Sequence, residues 1–409
     1  MAESYRARSA ALRGASTGAW SVTPMVTRSR QGPFRPGAGG LPPYLAGRAS
    51  VQALCRALLG DLRDGLAPSR DLVLHGPRGN GKTALLVWLQ QEAAAYAGVD
   101  VLSLTPAGMP DETKLVERLL PASWWRRFAP GQVSVQGITW RPGRRDPPPL
   151  DEALAARVRK APLLLLIDEA HTLDVAVGRA LLNAGQQVGR RLPFLLVLAG
   201  TPNLRAHLNA MDATFWNRAD RRPIGRLDGP ATAAAVRNPL RSDDIDIDDD
   251  ALAHIVRDSH GYPYFVQLWG QAVWRRAAGA TPPRAAPPGV AEERRITLAA
   301  ATAVQTAVNR EKDDYYLDRY EELETLRLLP VARSVAEAFD TRPLLDDVQL
   351  ETAIRRGLAA VPEADSTTAK DLLRNVGYVW RPEAKPVWEP GIPSLMDYVR
   401  EHAPVTRSA

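Results

Sequence analysis

The chain reads as an α/β protein: a parallel sheet covered by helices on both faces, then a small helical lid and a further helical domain. Three observations carry this reading. Short apolar runs at residues 72–74, 99–104, 163–167 and 194–198, with a shorter one near 224–227, alternate with helix-like stretches, the β-α-β order of a parallel sheet. The run Leu163-Leu164-Leu165-Leu166-Ile167 is apolar at every position, as expected for a strand buried on both faces. After Pro230 the apolar spacing becomes helical throughout.

Taken in order, residues 1–40 are rich in Arg, Ser, Gly and Pro without an apolar period, the composition of a flexible basic tail. Order is expected from Leu41-Pro42-Pro43-Tyr44-Leu45-Ala46-Gly47-Arg48, where a core spanning 41–229 begins. Its first helix carries Val51, Leu54, Cys55, Leu58, Leu59 and Leu62 at three- and four-residue steps. Residues 121–150 interrupt the alternation as a basic, aromatic insertion on the sheet's rim. They hold Trp124-Trp125-Arg126-Arg127-Phe128, a hairpin pattern through Val133, Val135, Ile138 and Trp140, and Arg144-Arg145 before three prolines. Residues 230–280 suit a helical lid and the proline-rich 281–295 a linker. The last domain, 296–409, has helix-like stretches at 320–339, 346–358 and 366–375. Two short strands around Val379 and Val387 follow, then a final helix. Three helices and a hairpin is the order of a winged helix.

The length of 409 residues allows two or three domains. Apolar content of 45% with 24% charged residues excludes a disordered chain, and no apolar stretch is long enough to span a membrane. Arg6, Arg8 and Arg13 near the start are not followed by a signal-peptide core. Cys55 is the single cysteine, so no intrachain disulfide can form. A cytoplasmic location is the expectation. Charge is unevenly spread: residues 1–48 carry seven Arg and one Glu, whereas from Arg310 onward there are 14 basic and 19 acidic residues. Any nucleic-acid footprint is therefore expected in the N-terminal and central parts.

Two motifs carry chemistry. The first is Gly76-Pro77-Arg78-Gly79-Asn80-Gly81-Lys82-Thr83, followed by Ala84. It has the G-x-x-x-x-G-K-T spacing and sits between a strand pattern and a helix pattern. The glycines let backbone N–H groups close around phosphates, and the helix start adds positive charge there. Lys82 is placed for the β- and γ-phosphates and Thr83 for Mg²⁺. A ligand-free glycine-rich turn would not require agreement at every position and on both flanks. The second motif is Asp168-Glu169 at the end of the five-residue apolar run, where open α/β sheets bind ligands. Asp168 suits Mg²⁺, and Glu169 suits the general base that polarises an attacking water. A helix cap by Asp168 alone would not explain two acids there. His171 fits a structural role better than a catalytic one.

With these motifs in order, the chain resembles the AAA+ ATPases within the P-loop NTPases, in the branch similar to Orc1/Cdc6-like initiators and their STAND relatives. The resemblance covers about residues 42–278, and the winged helix is a looser second match. Residues 76–83 look like Walker A and 163–169 like Walker B. Tyr44 to Arg48 looks like the family's entry motif near the adenine. Leu196-Val197-Leu198-Ala199-Gly200-Thr201-Pro202-Asn203 looks like the sensor-1 strand. The resemblance implies ATP and Mg²⁺ as ligands, with Thr201 or Asn203 orienting water, Thr201 being preferred because it leaves the strand first. It also implies an arginine finger, Arg218 or else Arg221 or Arg222, that reaches a neighbouring subunit, hence a homo-oligomer; a merely solvated basic face is the alternative. The lid opens with Gly261-Tyr262-Pro263. Pro263 stands where many members carry the sensor-2 arginine, leaving Arg275 or Arg276 as substitutes and favouring a slow, partner-controlled switch.

Two functions compete. One is a DNA-associated ATPase of replication, transposition or mobile-element type, whose basic insertion and tail contact phosphates and whose tryptophans stack on bases; the same tryptophans could instead be partly buried. The other is a signalling or defence ATPase whose acidic C-terminal domain binds a protein partner. Lys370, Arg374, Arg381 and Lys385 are few charges for a DNA-reading helix and wing. A scaffold that never hydrolyses is disfavoured by the presence of Glu169.

Overall fold

The computed structural model describes residues 32–37, 40–96, 98–120, 133–135, 138–140, 147–279, 294–359, 365–382 and 386–404. The remainder of the tail, Trp124 to Phe128, Arg144-Arg145, the linker prolines and Lys385 lie outside the described residues.

The core is built from β1 (Leu72–His75), β2 (Asp100–Leu104), a separate hairpin β3 (Val133–Val135) and β4 (Ile138–Trp140), β5 (Leu163–Ile167), β6 (Phe194–Gly200) and β7 (Asp220–Pro223). Between them run α1 (Ala49–Arg63), α2 (Lys82–Ala94), α3 (Glu112–Leu119), α4 (Leu150–Val158), α5 (Val175–Gly189), α6 (Leu204–Met211) and the single turn α7 (Phe215–Arg218). The five sheet strands are parallel in the order β2-β5-β6-β1-β7. Strand alternation explains the unbroken leucine run. Leu163, Leu165 and Ile167 belong to the apolar cluster on one face, Leu164 and Leu166 to the cluster on the other. All five are fully buried. Truncating one, as in Leu165→Ala, would cost about 2–5 kcal/mol.

The edge strand departs from expectation. It lies at Asp220-Arg221-Arg222-Pro223 rather than near 224–227, paired with β1 from Leu72↔Asp220 to His75↔Pro223. Its residues are only half-buried or exposed. An edge strand held by backbone pairing needs no apolar run, so nothing in its composition announced it.

The lid comprises α8 (Gly229–Arg241), α9 (Asp249–Ser259) and α10 (Pro263–Gly279). A short parallel pair joins it to the next segment, β8 (Ile245–Ile247) beside β9 (Arg294–Ile296). The C-terminal part holds α11 (Leu298–Thr325), α12 (Leu329–Thr341), α13 (Asp347–Leu358), α14 (Ser366–Asn375), the hairpin β10 (Val379–Trp380) and β11 (Glu389–Pro390), and α15 (Pro393–His402). The single helix expected over 320–339 is two. Arg327 takes φ +57, and Pro330, with no N–H to give, sits in the first turn of α12. Lid and C-terminal part share one apolar core: Trp269 and Phe265 from α10 join Val335, Ile354, Tyr378 and Val399.

Order also begins before residue 41. Phe34, in the stretch read as tail, is fully buried in that shared core. Its ring fills the place where a side chain at Gly270 would stand. The Arg35 amide donates to Gln267 Oε1 at 2.9 Å.

Candidate active site

The phosphate loop is shaped before any ligand enters. Gly81 caps α2 in the left-handed region at φ +85, and Gly79 sits at φ +74, conformations that favour glycine. A Cβ on Gly79 would also collide with the Tyr262 hydroxyl. Lys82 is buried, and its Nζ donates to the carbonyls of Gly76 (2.9 Å) and Pro77 (2.8 Å). Burial pulls its pKa down to about 8, against the opposing pull of Glu169 and Asp168. The ammonium is thus held by weak neutral acceptors in a dry place, and phosphate oxygens are the stronger acceptors it lacks.

The strand tips bring the second motif to it. Thr83 Oγ1 donates to Asp168 Oδ2 at 2.7 Å, and Asp168 Oδ1 accepts from the Glu169 amide at 2.9 Å. Glu169 is in the left-handed region at φ +51, unusual for a side-chain-bearing residue. Its carboxylate lines the same cleft as the loop. His171 Nδ1 accepts from the Thr201 amide at 3.5 Å, which leaves the ring proton on Nε2, 3.4 Å from Glu169 Oε2. Burial first, then Arg78, lowers the His171 pKa to about 4, so a neutral ring ties the end of β6 to the carboxylate. Thr201 is buried with an unpartnered hydroxyl, and the side chain of Asn80 is likewise buried without a partner. Asn80 lines that cleft, whereas Thr201, just beyond β6, is not among its lining residues.

The cleft is about 330 Å³. Besides Arg78, Gly79, Asn80, Gly81, Lys82, Thr83, Ala84 and Glu169, it is lined by Pro42, Tyr44, Leu45, Ala46 and Arg48 from the entry segment, and by Pro263, Tyr264 and Val266 from the lid. The apolar members offer a dry surface suited to a flat aromatic group. Arg48 does not face the ligand as a free charge. Its Nη2 donates to the carbonyls of Asn80 (3.1 Å) and Gly225 (2.5 Å), clamping loop to edge strand, and burial lowers its pKa to about 10. Pro77 contributes its carbonyl to Lys82 and is not among the lining residues.

Other expected residues lie elsewhere. Arg218 donates to Asp212 Oδ2 (2.8 Å) and Thr214 Oγ1 (2.9 Å) and is not among the cleft-lining residues of its own chain. Arg222 is paired with Asp220 at 3.0 Å. Arg275 and Arg276 are exposed and do not line the cleft. Asn203 is at the start of α6 without a side-chain cap.

Sequence reasoning missed Tyr315 and Arg319. Both project from α11 into the nucleotide cleft. Tyr315 stacks on Tyr264 with centroids 4.9 Å apart. Its hydroxyl is 2.9 Å from that of Tyr262, which in turn donates to the Arg78 carbonyl of the phosphate loop. Arg319 donates to Glu322 at 2.8 Å, and Glu322 lies 4.0 Å from Arg78. The available signal was a tyrosine and an arginine four residues apart, one face of a helix otherwise rich in charge.

A buried loop lysine, a Thr–Asp pair between the first turn of α2 and the tip of β5, and an adjacent glutamate define a P-loop nucleoside triphosphatase fold. Residues 69–208 match the family model described as an AAA domain. Among solved structures, a Walker-type ATPase of Pyrococcus abyssi superposes with TM-score 0.55 at 14% identity, covering 87% of this chain and 96% of that one. The ORC2 protein of Aeropyrum pernix, in ADPNP–ADP complexes, gives TM-score 0.53 at 12% identity, covering 89% and 96%. At these identities the likeness is one of fold. Comparison with curated proteins returns no match. No helix among the described residues is long and apolar enough to cross a membrane.

Proposed function

We propose that the protein is a magnesium-dependent ATPase working as a slow, partner-controlled switch associated with DNA. The observation that carries the catalytic part is the 2.7 Å contact between Thr83 Oγ1 and Asp168 Oδ2 beside buried Lys82. A hydroxyl and a carboxylate oxygen meeting at the loop are the hard oxygen donors that magnesium takes. When bound there, the ion supplies charge neutralisation on the β- and γ-phosphate oxygens. The chain's own groups do the rest. Lys82 turns from the loop carbonyls to the phosphates and stabilises charge on the leaving β–γ oxygen. Glu169 accepts a proton from water as that water's oxygen bonds to the γ-phosphorus. Thr201, buried with a free hydroxyl at the tip of β6, is suited to holding that water.

The switch character is supported by Pro263 at the start of α10 and by the cleft residues that α11 contributes. Arg319 is the residue of this chain best placed to read the phosphates in place of a lid arginine. Arg218 is proposed to serve a neighbouring subunit once it leaves Asp212. The DNA association rests on the basic residues of the tail and insertion. The acidic excess after Arg310 favours, as a second reading, a protein partner for the C-terminal part. A steady-state ATPase assay with and without DNA tests both. Magnesium-dependent turnover altered by DNA is the expected result. Turnover indifferent to DNA, in a protein that shows no DNA binding at low salt, would move the assignment to the signalling reading.

A further inference from the structure

A second cleft, about 730 Å³, opens between the sheet's edge and the C-terminal hairpin. Arg205 of α6 and Arg221 of β7 reach it from the core, and Arg374 of α14 and Arg381 beyond β10 from the C-terminal part. No carboxylate is among the described residues lining it. Its apolar surface comes from Trp216, Trp380 and Trp388. Arg205 and Arg221 lie 5.9 and 5.8 Å from the Trp216 ring, and Arg381 lies 5.8 Å from that of Trp388. His75, at the end of β1, also lines it. His75 is 4% exposed, its Nε2 has no partner, and its ring packs edge-on against Trp216 and Trp380.

The flanking charges have to be weighed. Asp347 pairs with Arg381 at 2.8 Å and Asp371 with Arg374 at 3.1 Å. Glu389, next to Trp388, faces Arg226 at 3.7 Å. These pairs offset part of the charge at the hairpin side, and Arg205 and Arg221 on the core side have interactions of their own as well. The hairpin-side pairs also hold Arg381 and Arg374 at the cleft wall. Four convergent guanidinium groups around indole surface favour a ligand with an anionic part and a flat aromatic part.

We propose that this cleft is a binding site for a nucleoside phosphate, either a free mononucleotide or a unit of a single nucleic-acid strand, separate from the ATP cleft. Phosphate oxygens take the guanidinium donors, and a base lies against the indole wall. A cleft of this size admits one nucleotide but not a duplex. The arginines that sequence reading placed on a DNA-reading helix and wing thus turn towards the ATPase core.

The test uses the full chain carrying Lys82→Ala, so that the phosphate loop does not contribute and failure here is separable from failure of the ATPase reading. Thymidine monophosphate is titrated by calorimetry, and a short labelled oligodeoxythymidine by fluorescence anisotropy, both at low salt. One or both bind, and the tighter of the two identifies the source. Adding Arg205→Ala and Arg381→Ala weakens binding roughly tenfold or more per arginine. The control pair Arg190→Ala and Arg191→Ala, exposed on the far end of α5, leaves it within about twofold. Because Arg381→Ala also removes an ion pair, Asp347→Asn is the second variant: it keeps an acceptor for Trp388 Nε1, which donates to Asp347 Oδ1 at 2.8 Å, and removes the negative charge beside Arg381, so binding tightens. No binding of either probe, or affinities unmoved by both the arginine pair and Asp347→Asn, overturns the proposal.

Discussion

The two clefts are built in opposite ways. The nucleotide cleft gets most of its chemistry from two contiguous runs, residues 76–84 and 168–169, in which main-chain geometry does much of the binding. The cleft at the hairpin gets its chemistry from long side chains on four separate elements. A site made of backbone and neighbouring residues leaves its pattern in the sequence. One made by packing distant elements together does not. The nucleotide cleft itself contains both kinds: its floor is motif, while its roof, Tyr315 and Arg319, arrives from a helix more than two hundred residues along the chain from the glycine loop.

The sharpest way to break this comparison is to attack the motif. Glu169→Gln should retain ATP while turnover falls by roughly 10²–10⁴-fold, the scale of a general base. The amide cannot accept the proton, and the loop is untouched. Single-turnover rates at wild-type level would put the base elsewhere. Next in size is Lys82→Ala, which removes charge-assisted bonds to phosphate and should weaken Mg-ATP by about 10- to 100-fold. Calorimetry that finds unchanged affinity would remove the basis for the whole site.

The roof should matter less, and that is the informative point. Arg319→Ala is expected to weaken ATP by up to about tenfold while ADP binding changes little. If both nucleotides lose equally, Arg319 supports the cleft and does not read the terminal phosphate.

The smallest effect is one of pH. The Lys82 pKa is depressed to about 8 from an ordinary value of 10.5. The unfolded chain therefore holds more protons between those values, so this group's contribution favours the fold above pH 10.5 and is lost as pH falls through about 8. For ligand binding the sign reverses, because phosphate needs the ammonium. ATP affinity should decline as pH rises above about 8, with proton uptake on binding. Calorimetry at about pH 8.5 in buffers of different ionisation heat measures it, and zero uptake would mean that the lysine is already fully charged.

Legibility followed the same division. The leucine run announced β5 because both faces of that strand are buried, and the glycine spacing announced the loop because few other residues tolerate those dihedrals. Strand β7 was displaced in expectation because an edge strand of Asp and Arg, paired through its backbone to β1, shows no apolar run. Phe34 was lost among tail-like residues, since a single buried ring makes no periodicity. The α11–α12 break was hidden because Leu323, Leu326, Leu329 and Ala332 keep three-residue steps across Arg327. Arg48 was expected near the base; it lines the cleft, and its guanidinium serves the protein's own carbonyls.

The shared core has a practical meaning for anyone dividing the chain. Lid residues such as Phe265 and Trp269 lie in one apolar cluster with Val335, Ile354 and Val399. A fragment ending at residue 280 would leave greasy surface facing water, and would be expected to clump rather than report on an isolated core. Removing residues 33–37 would likewise uncover the hole that Phe34 plugs beside Gly270. A usable cut on the N-terminal side therefore falls before Pro33, and the C-terminal part is better silenced by point changes than by scissors.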